Sequence, residues 1–135
     1  MTLQDVTIAF IGSGAMGESM IKGLLNKKLV APAQIIAADP RPERVEELAA
    51  TYGLRPTTDN AEAAESSDIL VLSVKPQVLD YVMPEVRHGA RTAKLVLSII
   101  AGARIKTIAD GVANPGIVRS MPNTPAQIGQ GITVW

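Results

Sequence analysis

The stretch Val6-Thr7-Ile8-Ala9-Phe10-Ile11-Gly12-Ser13-Gly14-Ala15-Met16-Gly17 joins a short apolar run to three glycines spaced as G-x-G-x-x-G. Residues 6–11 are mostly apolar or β-branched, which predicts a strand buried on both faces. Residues 15–28 follow with apolar side chains at helical spacing and end in polar and cationic residues. A buried strand that turns into a helix through glycines favours a turn that binds phosphate.

The same alternation of strand and helix continues along the chain. Further strands are predicted at residues 34–38, 54–56, 69–74, 95–100 and 116–120. One helix is predicted to begin at Pro42 and to end at Gly53, and a short one is predicted to follow a cap at Asp59 or Asn60. Two more helices are predicted at about residues 77–86 and at residues 104–110. This order predicts an α/β fold, a doubly wound Rossmann-type parallel sheet with helices on both faces.

Length and composition limit the class of protein. The 135 residues fit one domain, residues 1–135, and 47% hydrophobic residues with zero formal net charge are typical of a soluble globular protein. The balanced charge argues against a nucleic-acid partner. The absence of cysteine excludes disulfides and thiolate metal sites. There is no basic signal region and no apolar run of membrane-spanning length, so we expect no membrane contact and a cytoplasmic location.

Each glycine of the turn has a separate role in the dinucleotide-binding form of the motif. Gly12 allows the tight turn, Gly14 lets the backbone approach a diphosphate, and Gly17 allows close packing of helix against strand. A nucleoside-triphosphatase loop is disfavoured, because Gly17 leads into Glu18 rather than into a Lys-Ser/Thr ending. The alternative is a strand-to-helix turn that binds nothing.

The end of the second predicted strand carries residues suited to the ribose of either coenzyme. Asp39 fits the 2′-hydroxyl of NAD, and Arg41 or Arg44 fits the 2′-phosphate of NADP. Asp39 comes later than the usual spacing of about 20 residues, because residues 29–33 lengthen the connection. The alternatives are a turn aspartate before Pro40 and solvated arginines, so NAD and NADP both stay open.

The loops after the other strands are further candidate positions, because ligands of doubly wound sheets bind outside the carboxyl ends of the strands. Lys75 offers a cation, and Asn123 and Thr124 offer hydrogen-bonding groups for a nicotinamide ring. Each loop is also compatible with an ordinary connection. No catalytic triad or metal site is visible, and His88 beside Gly89 is typical of a helix end. Hydride transfer needs no such triad, since the cofactor carries the hydride.

Four segments together resemble the pyrroline-5-carboxylate reductases, in order and in spacing, over essentially the whole chain. They are residues 8–17, Ser73-Val74-Lys75-Pro76-Gln77, Ser98-Ile99-Ile100-Ala101-Gly102 and Val118-Arg119-Ser120-Met121-Pro122-Asn123-Thr124-Pro125-Ala126. The resemblance implies an oxidoreductase that reduces a small-molecule substrate, 1-pyrroline-5-carboxylate, to L-proline with NAD(P)H. This is the last step of proline biosynthesis.

The resemblance also implies roles for individual residues. The diphosphate would meet Ile11, Gly12, Ser13, Gly14, Ala15 and Met16. The ribose end would meet Asp39 and Arg41, and the adenine side Asn60. The nicotinamide half would meet Val74, Lys75 and Ala101, and the nicotinamide and substrate side would be shaped by Asn123, Thr124 and Pro125. It implies no catalytic residue and no metal ligand among these positions.

This chain departs from the family in two respects. Many relatives have serine, threonine or arginine at the position of Asp39, and a carboxylate there would repel a 2′-phosphate, so the cofactor is expected to be NADP or NAD. The family also continues into an all-helical C-terminal domain that forms the dimer and much of the substrate pocket. We expect that domain to be absent here, the full-length parent to be a homo-oligomer built on a dimer, and this chain alone to bind cofactor with little or no catalysis.

Two other classes of function compete with this interpretation. One is a non-catalytic NAD(P)-binding reductase-like module. The other is a methyltransferase, which would share a glycine turn and an acid after the second strand. Gly17 and the Lys75-Pro76 loop are better explained by a dinucleotide.

Overall fold

Six parallel strands form one sheet in the computed structural model, which describes residues 5–91 and 93–100 together with the backbone of 117–119. The strands are β1 (Ile8–Ile11), β2 (Ile35–Ala38), β3 (Arg55–Thr57), β4 (Ile69–Leu72), β5 (Leu95–Ser98) and β6 (Ile117–Arg119). Every residue of β1, β2 and β4 is buried, as expected for central strands covered on both faces. The predicted parallel sheet is confirmed.

Four α-helices connect the strands of the described part. They are α1 (Ala15–Asn26), α2 (Pro42–Tyr52), α3 (Asn60–Glu65) and α4 (Leu79–Ala90). Gly53 ends α2 in the left-handed region, with φ of 78°, which confirms the glycine stop. Asp59 caps α3 by accepting a hydrogen bond from the N–H of Glu62, so the cap is Asp59 rather than Asn60.

Several element ends differ from the prediction by a few residues. Gln34 lies in a short 3₁₀ turn (Pro32–Gln34) rather than in β2. Its side-chain Nε2 donates to the carbonyl oxygen of Val6 at 2.7 Å, and Val6 lies outside β1, which begins at Ile8. A second 3₁₀ turn (Pro76–Val78) precedes α4, which runs past the predicted end at Val86 because Ala90 is also buried in the core. The helix predicted at residues 104–110 lies outside the described residues.

The helices cover the two faces of the sheet in pairs. One core cluster joins alternate residues of β1 and β4, such as Ile11 and Leu72, to α3 and α4. The other joins the intervening residues, such as Phe10 and Val71, to α1 and α2. The chain therefore forms the doubly wound arrangement that the alternation of elements predicted.

The strand order places a crevice between the first and fourth strands. The order is β3-β2-β1-β4-β5-β6, so the chain winds outward in one direction from β1 to β3 and in the other from β4 to β6. Ile8 of β1 pairs with Ile35 on one side and with Ile69 on the other. In open sheets of this kind, ligands bind at the carboxyl ends of the strands where the order reverses.

None of the helices in the described part is long and apolar enough to cross a membrane.

Candidate dinucleotide-binding site

The turn after β1 requires glycine at its first position. Gly12 has φ of +90°, and a Cβ there would lie 2.7 Å from Cγ1 of Val74 and 2.8 Å from the carbonyl oxygen of Ser73. Both the dihedral angle and the lack of space exclude a side chain. Gly12 therefore has the role in the tight turn that the motif predicted.

The other two glycines serve different purposes. A Cβ on Gly17 would lie 2.8 Å from the carbonyl oxygen of Gly12, so glycine lets α1 pack closely against the turn. A Cβ on Gly14 would meet nothing within 4 Å, and Gly14 faces open space. No side chain caps the start of α1, so its first backbone N–H groups stay available to an anion at the positive end of the helix.

Ser13 is fully buried and anchors the turn to the end of β2. Its hydroxyl donates to the carbonyl oxygen of Ala38 at 3.0 Å, and its backbone N–H donates to Oδ2 of Asp39 at 3.1 Å. On the opposite side of the turn, the hydroxyl of Ser73 donates to the carbonyl oxygen of Gly12 at 2.5 Å. The turn is thus held from both neighbouring strands before any ligand arrives.

Asp39 is almost fully buried and its carboxylate is fully engaged. Besides Ser13, it accepts hydrogen bonds from Nε, Nη2 and the backbone N–H of Arg41, at 2.8, 3.0 and 3.1 Å. Burial opposes the charged form, but these hydrogen bonds outweigh it and hold the pKa of Asp39 below its ordinary value. Asp39 is therefore an ionised anchor of the turn whose charge Arg41 balances.

The sequence left Arg44 open between a coenzyme role and a solvated position, and the structure places its side chain, 16% exposed, against the turn. Its guanidinium donates to the carbonyl oxygen of Ser13 at 2.8 Å, to Glu18 at 2.7 Å and to Glu47 at 2.8 Å. The hydroxyl of Tyr52 donates to the other oxygen of Glu18 at 2.6 Å. These contacts tie α2 to the start of α1, so Arg44 supports the turn.

The hydrogen bond from Tyr52 to Glu18 shifts the pKa of both groups. This hydrogen bond is the largest cause of the lowered pKa of Glu18, and the hydrogen bond from Arg44 is the next largest. The hydrogen bond between Tyr52 and Glu18 also raises the pKa of Tyr52 to about 12, because loss of the phenolic proton would place two negative charges together. The pair therefore remains a phenol and a carboxylate around neutral pH.

A cavity of about 360 Å³ lies at the carboxyl edge of the sheet, where the predicted site residues meet. It is lined by Gly12, Gly14, Asp39, Pro40, Arg41, Ser73, Val74, Lys75 and Val78. Six of these are predicted site residues, drawn from the turn, the end of β2 and the loop after β4. A larger cavity of about 460 Å³, lined by residues such as Leu25 and Pro32, lies at the amino end of β2, away from the crevice.

Five further predicted residues of the described part do not line this cavity. Ile11 and Ser13 are buried behind the turn, whereas Ala15 and Met16 are exposed on the first turn of α1. Asn60 begins α3 outside the cavity lining, with its Nδ2 3.4 Å from Glu85. Outside the described residues lie Ala101, Asn123, Thr124 and Pro125.

Sequence reasoning missed Ser73, Pro40 and Val78 as residues of the site. Ser73 stands in the loop that the sequence singled out, but its contact with Gly12 spans 61 residues and has no local signal. No group of three metal-binding side chains occurs in the part of the chain that the structure covers. His88 is exposed on the last turn of α4 and lies 4.0 Å from Glu65, in agreement with a helix-end position.

Comparisons with known proteins agree with this geometry. A family model described as NADP oxidoreductase, coenzyme F420-dependent, matches residues 7–102. Pyrroline-5-carboxylate reductase of Synechocystis sp. is 42% identical over 129 residues, which cover 96% of this chain and 48% of that protein. The enzyme of Methanosarcina acetivorans is 36% identical over 95% of this chain and 48% of its own length. The chain thus spans about half the length of these relatives.

Solved structures give the same result. A pyrroline-5-carboxylate reductase from Coxiella burnetii superposes with a TM-score of 0.81 at 30% identity, over 91% of this chain and 46% of that one. A Plasmodium falciparum pyrroline carboxylate reductase solved with NADP bound has a TM-score of 0.78 at 26% identity, over 93% and 45%. The chain belongs to the NADP oxidoreductase, coenzyme F420-dependent family, and within it the chain resembles the dinucleotide-binding domain of the pyrroline-5-carboxylate reductases.

Proposed function

We propose that this chain binds NADP(H) or NAD(H) in the carboxyl-edge cavity, as the coenzyme-binding part of an enzyme that reduces 1-pyrroline-5-carboxylate to L-proline. The observation that carries the proposal is the cavity, which brings the glycine turn, the Asp39–Arg41 pair and Lys75 together at the point where the strand order reverses. The similarity to pyrroline-5-carboxylate reductases over nearly the whole chain supports the choice of substrate.

The residues around the cavity fit a dinucleotide. The open space at Gly14 and the uncapped start of α1 suit a diphosphate, which backbone N–H groups bind without a cationic side chain. We assign this role to residues 11–16. We assign the ribose end to Asp39 and Arg41, the adenine side to Asn60, and the nicotinamide half to Val74, Lys75 and Ala101. The nicotinamide and substrate side is assigned to Asn123, Thr124 and Pro125.

The chemistry requires little from this chain beyond positioning. When bound, the reduced nicotinamide supplies a hydride to the imine carbon, and a proton must reach the imine nitrogen. The side chains around the cavity hold the coenzyme in place. Val74 contributes an apolar wall and Lys75 a cation on the same loop.

Arg41 is the residue that we propose to recognise the 2′-phosphate of NADP. Its side chain is 56% exposed, whereas the carboxylate of Asp39 is 6% exposed and already accepts four hydrogen bonds. A 2′-phosphate would therefore meet the guanidinium rather than a free carboxylate. The repulsion expected from Asp39 is offset by its partner, so NADP is compatible with an aspartate at this position.

Calorimetry with NADP⁺ and NAD⁺ tests this proposal. Substituting Arg41→Gln should weaken NADP⁺ binding about tenfold or more and change NAD⁺ binding far less, because only NADP⁺ carries the 2′-phosphate. Arg87→Gln, a change at an exposed arginine on α4, is the matched control. Absence of binding by either dinucleotide, or binding of S-adenosylmethionine instead, would contradict the proposed function. Equal loss for both dinucleotides would contradict the role of Arg41 alone.

Turnover is expected to need the part of the reductases that lies beyond this alignment, since the chain matches about half of their length. We propose that the 135-residue chain binds the coenzyme but forms little proline from NADPH and the pyrroline. Substantial proline formation by this chain would show that the substrate site is complete within it.

The proposal extends to the assembly and location of the protein. We propose a cytoplasmic enzyme whose longer form is a homo-oligomer built on a dimer, as the resemblance implies. Sedimentation of the native protein and fractionation of its cells check these two points. A monomer, or recovery in a membrane fraction, would contradict them.

A further inference from the structure

The guanidinium of Arg44 lies under the glycine turn, where it contacts the backbone itself. Nε donates to the carbonyl oxygen of Ser13 at 2.8 Å, across 31 residues of sequence. The other two nitrogens donate to Glu18 and Glu47, and the side chain is only 16% exposed. Arg44 is therefore held by three acceptors, one each on the turn, α1 and α2.

The contact with Ser13 fixes the direction of the next amide. The peptide between Ser13 and Gly14 is trans, as are all peptide bonds in the described part of the chain. In a planar trans peptide the C=O and the N–H point in opposite directions. With the C=O of Ser13 held toward Arg44, the N–H of Gly14 points to the other side, and Gly14 lines the cavity.

We propose that Arg44 is a positioning residue of the diphosphate site, which holds the Ser13–Gly14 peptide so that the Gly14 N–H is aimed at the ligand. This inference rests on the proposed function, because it assumes that a diphosphate binds at the turn. Arg44 touches no ligand in this role. It acts through one peptide plane, and that distinguishes it from Arg41, which stands exposed on the cavity rim.

Glu18 and Tyr52 hold Arg44 in place. Glu18 lies on the first turn of α1 and accepts from Arg44 with one oxygen and from Tyr52 with the other. Tyr52 is the last residue of α2, so the three side chains link the start of α1 to both ends of α2. Arginine suits this position because its rigid fork reaches Ser13 and Glu18 at once, which a lysine ammonium does not reproduce.

The test compares two ligands that differ in the diphosphate. ADP carries it, whereas adenosine 2′-monophosphate carries a phosphate only on the ribose. In the 135-residue chain, R44M should weaken ADP binding about tenfold, the equivalent of one charge-assisted hydrogen bond, and leave binding of adenosine 2′-monophosphate within about twofold. Glu47→Gln, which removes only the 65% exposed partner of Arg44, should change neither affinity.

A second readout reports on the peptide directly. On addition of ADP, the backbone amide resonance of Gly14 should shift strongly in the unsubstituted chain and much less in R44M. If R44M does not fold, R44K is measured in the same way, with an intermediate loss of ADP affinity expected. Equal loss for both ligands, or an unchanged Gly14 response, would overturn the inference. A folded, unsubstituted chain that binds neither ligand would instead overturn the proposed function.

Discussion

At the scale of single residues, the three glycines of the turn differ in what a methyl group would meet. Gly12 and Gly17 face backbone atoms at less than 3 Å, whereas Gly14 faces open space. The motif had predicted a separate role for each of them. The structure shows that the fold leaves no room for a side chain at Gly12 and Gly17, whereas it leaves room for one at Gly14.

Alanine substitutions should reveal this difference. Gly17→Ala should lower the free energy of unfolding by about 1–3 kcal/mol, because its Cβ would press on the carbonyl oxygen of Gly12. Gly14→Ala should leave the free energy of unfolding within about 0.5 kcal/mol while weakening dinucleotide binding, because the methyl group would occupy the space assigned to the diphosphate. Urea unfolding and calorimetry on both variants measure the two effects. A destabilised Gly14→Ala variant with unchanged binding would contradict this assignment.

Asp39 shows how a residue can have a structural role inside a binding motif. The motif assigns the acid after β2 to a ribose hydroxyl. Here the carboxylate accepts a hydrogen bond from the N–H of Ser13, so it links the end of β2 to the glycine turn. A change of coenzyme preference made by replacing Asp39 would therefore disturb the turn as well.

At the scale of elements, α3 and α4 pack closely against each other, away from the cavity. A Cβ on Gly89 would lie 2.6 Å from the carbonyl oxygen of Ala64, with other backbone atoms of Ala64 and Glu65 nearer still. Gly89 is buried within α4 although glycine disfavours helix interiors by about 1 kcal/mol. The contact explains why glycine stands at this position.

Gly89→Ala should therefore destabilise the protein even though alanine is the better helix former. Because the clash is with backbone, which has little room to move, we expect a loss of at least about 2 kcal/mol in the free energy of unfolding. Thermal and urea unfolding measure it, with Arg87→Ala on the exposed face of the same helix as the control. A Gly89→Ala variant as stable as the control would contradict the close packing of α3 and α4.

At the scale of the whole molecule, one hydrogen bond between helices links stability to pH at both ends of the range. Tyr52 donates to Glu18, which lowers the pKa of Glu18 from 4.5 and raises the pKa of Tyr52 from 10.0 to about 12. The contribution of Glu18 is present above about pH 4.5 and is lost as the pH falls through its lowered folded pKa. The contribution of Tyr52 is complete below about pH 10 and is lost as the pH rises toward 12.

Tyr52→Phe should make the free energy of unfolding less dependent on pH at both the acid and the alkaline end of the range. Loss of the hydroxyl should cost about 1 kcal/mol at neutral pH, since the pair is partly exposed, and should remove the alkaline decline assigned to Tyr52. The acid decline should also become shallower, because the hydrogen bond from Tyr52 is the largest cause of the shift in Glu18. Urea unfolding across pH measures this, with Tyr81→Phe at a 76% exposed position as the control. Identical pH profiles for the two variants would contradict the assignment.

Most of the fold could be predicted from local pattern. Buried strands of a parallel sheet are continuous apolar runs, and residues 8–11 and 69–72 show this directly. The predicted ends of the elements were less accurate. One example is the start of β1, where the carbonyl oxygen of Val6 accepts a hydrogen bond from the side chain of Gln34. Such a contact joins distant residues and leaves no periodic signal.

The sequence by itself determined the α/β order, the glycine turn and the position of an acid and an arginine after β2. These follow from short-range pattern, because strand and helix periods and the need for glycine at a tight turn act over a few residues. Only the tertiary structure decided that Asp39 is buried against Ser13 and that Arg44 supports the turn with Glu18 and Tyr52. The reason is physical, because hydrogen bonds between residues 26 to 34 positions apart depend on how the helices and strands pack. In the sequence alone, the same side chains are compatible with binding a ligand or with supporting the turn.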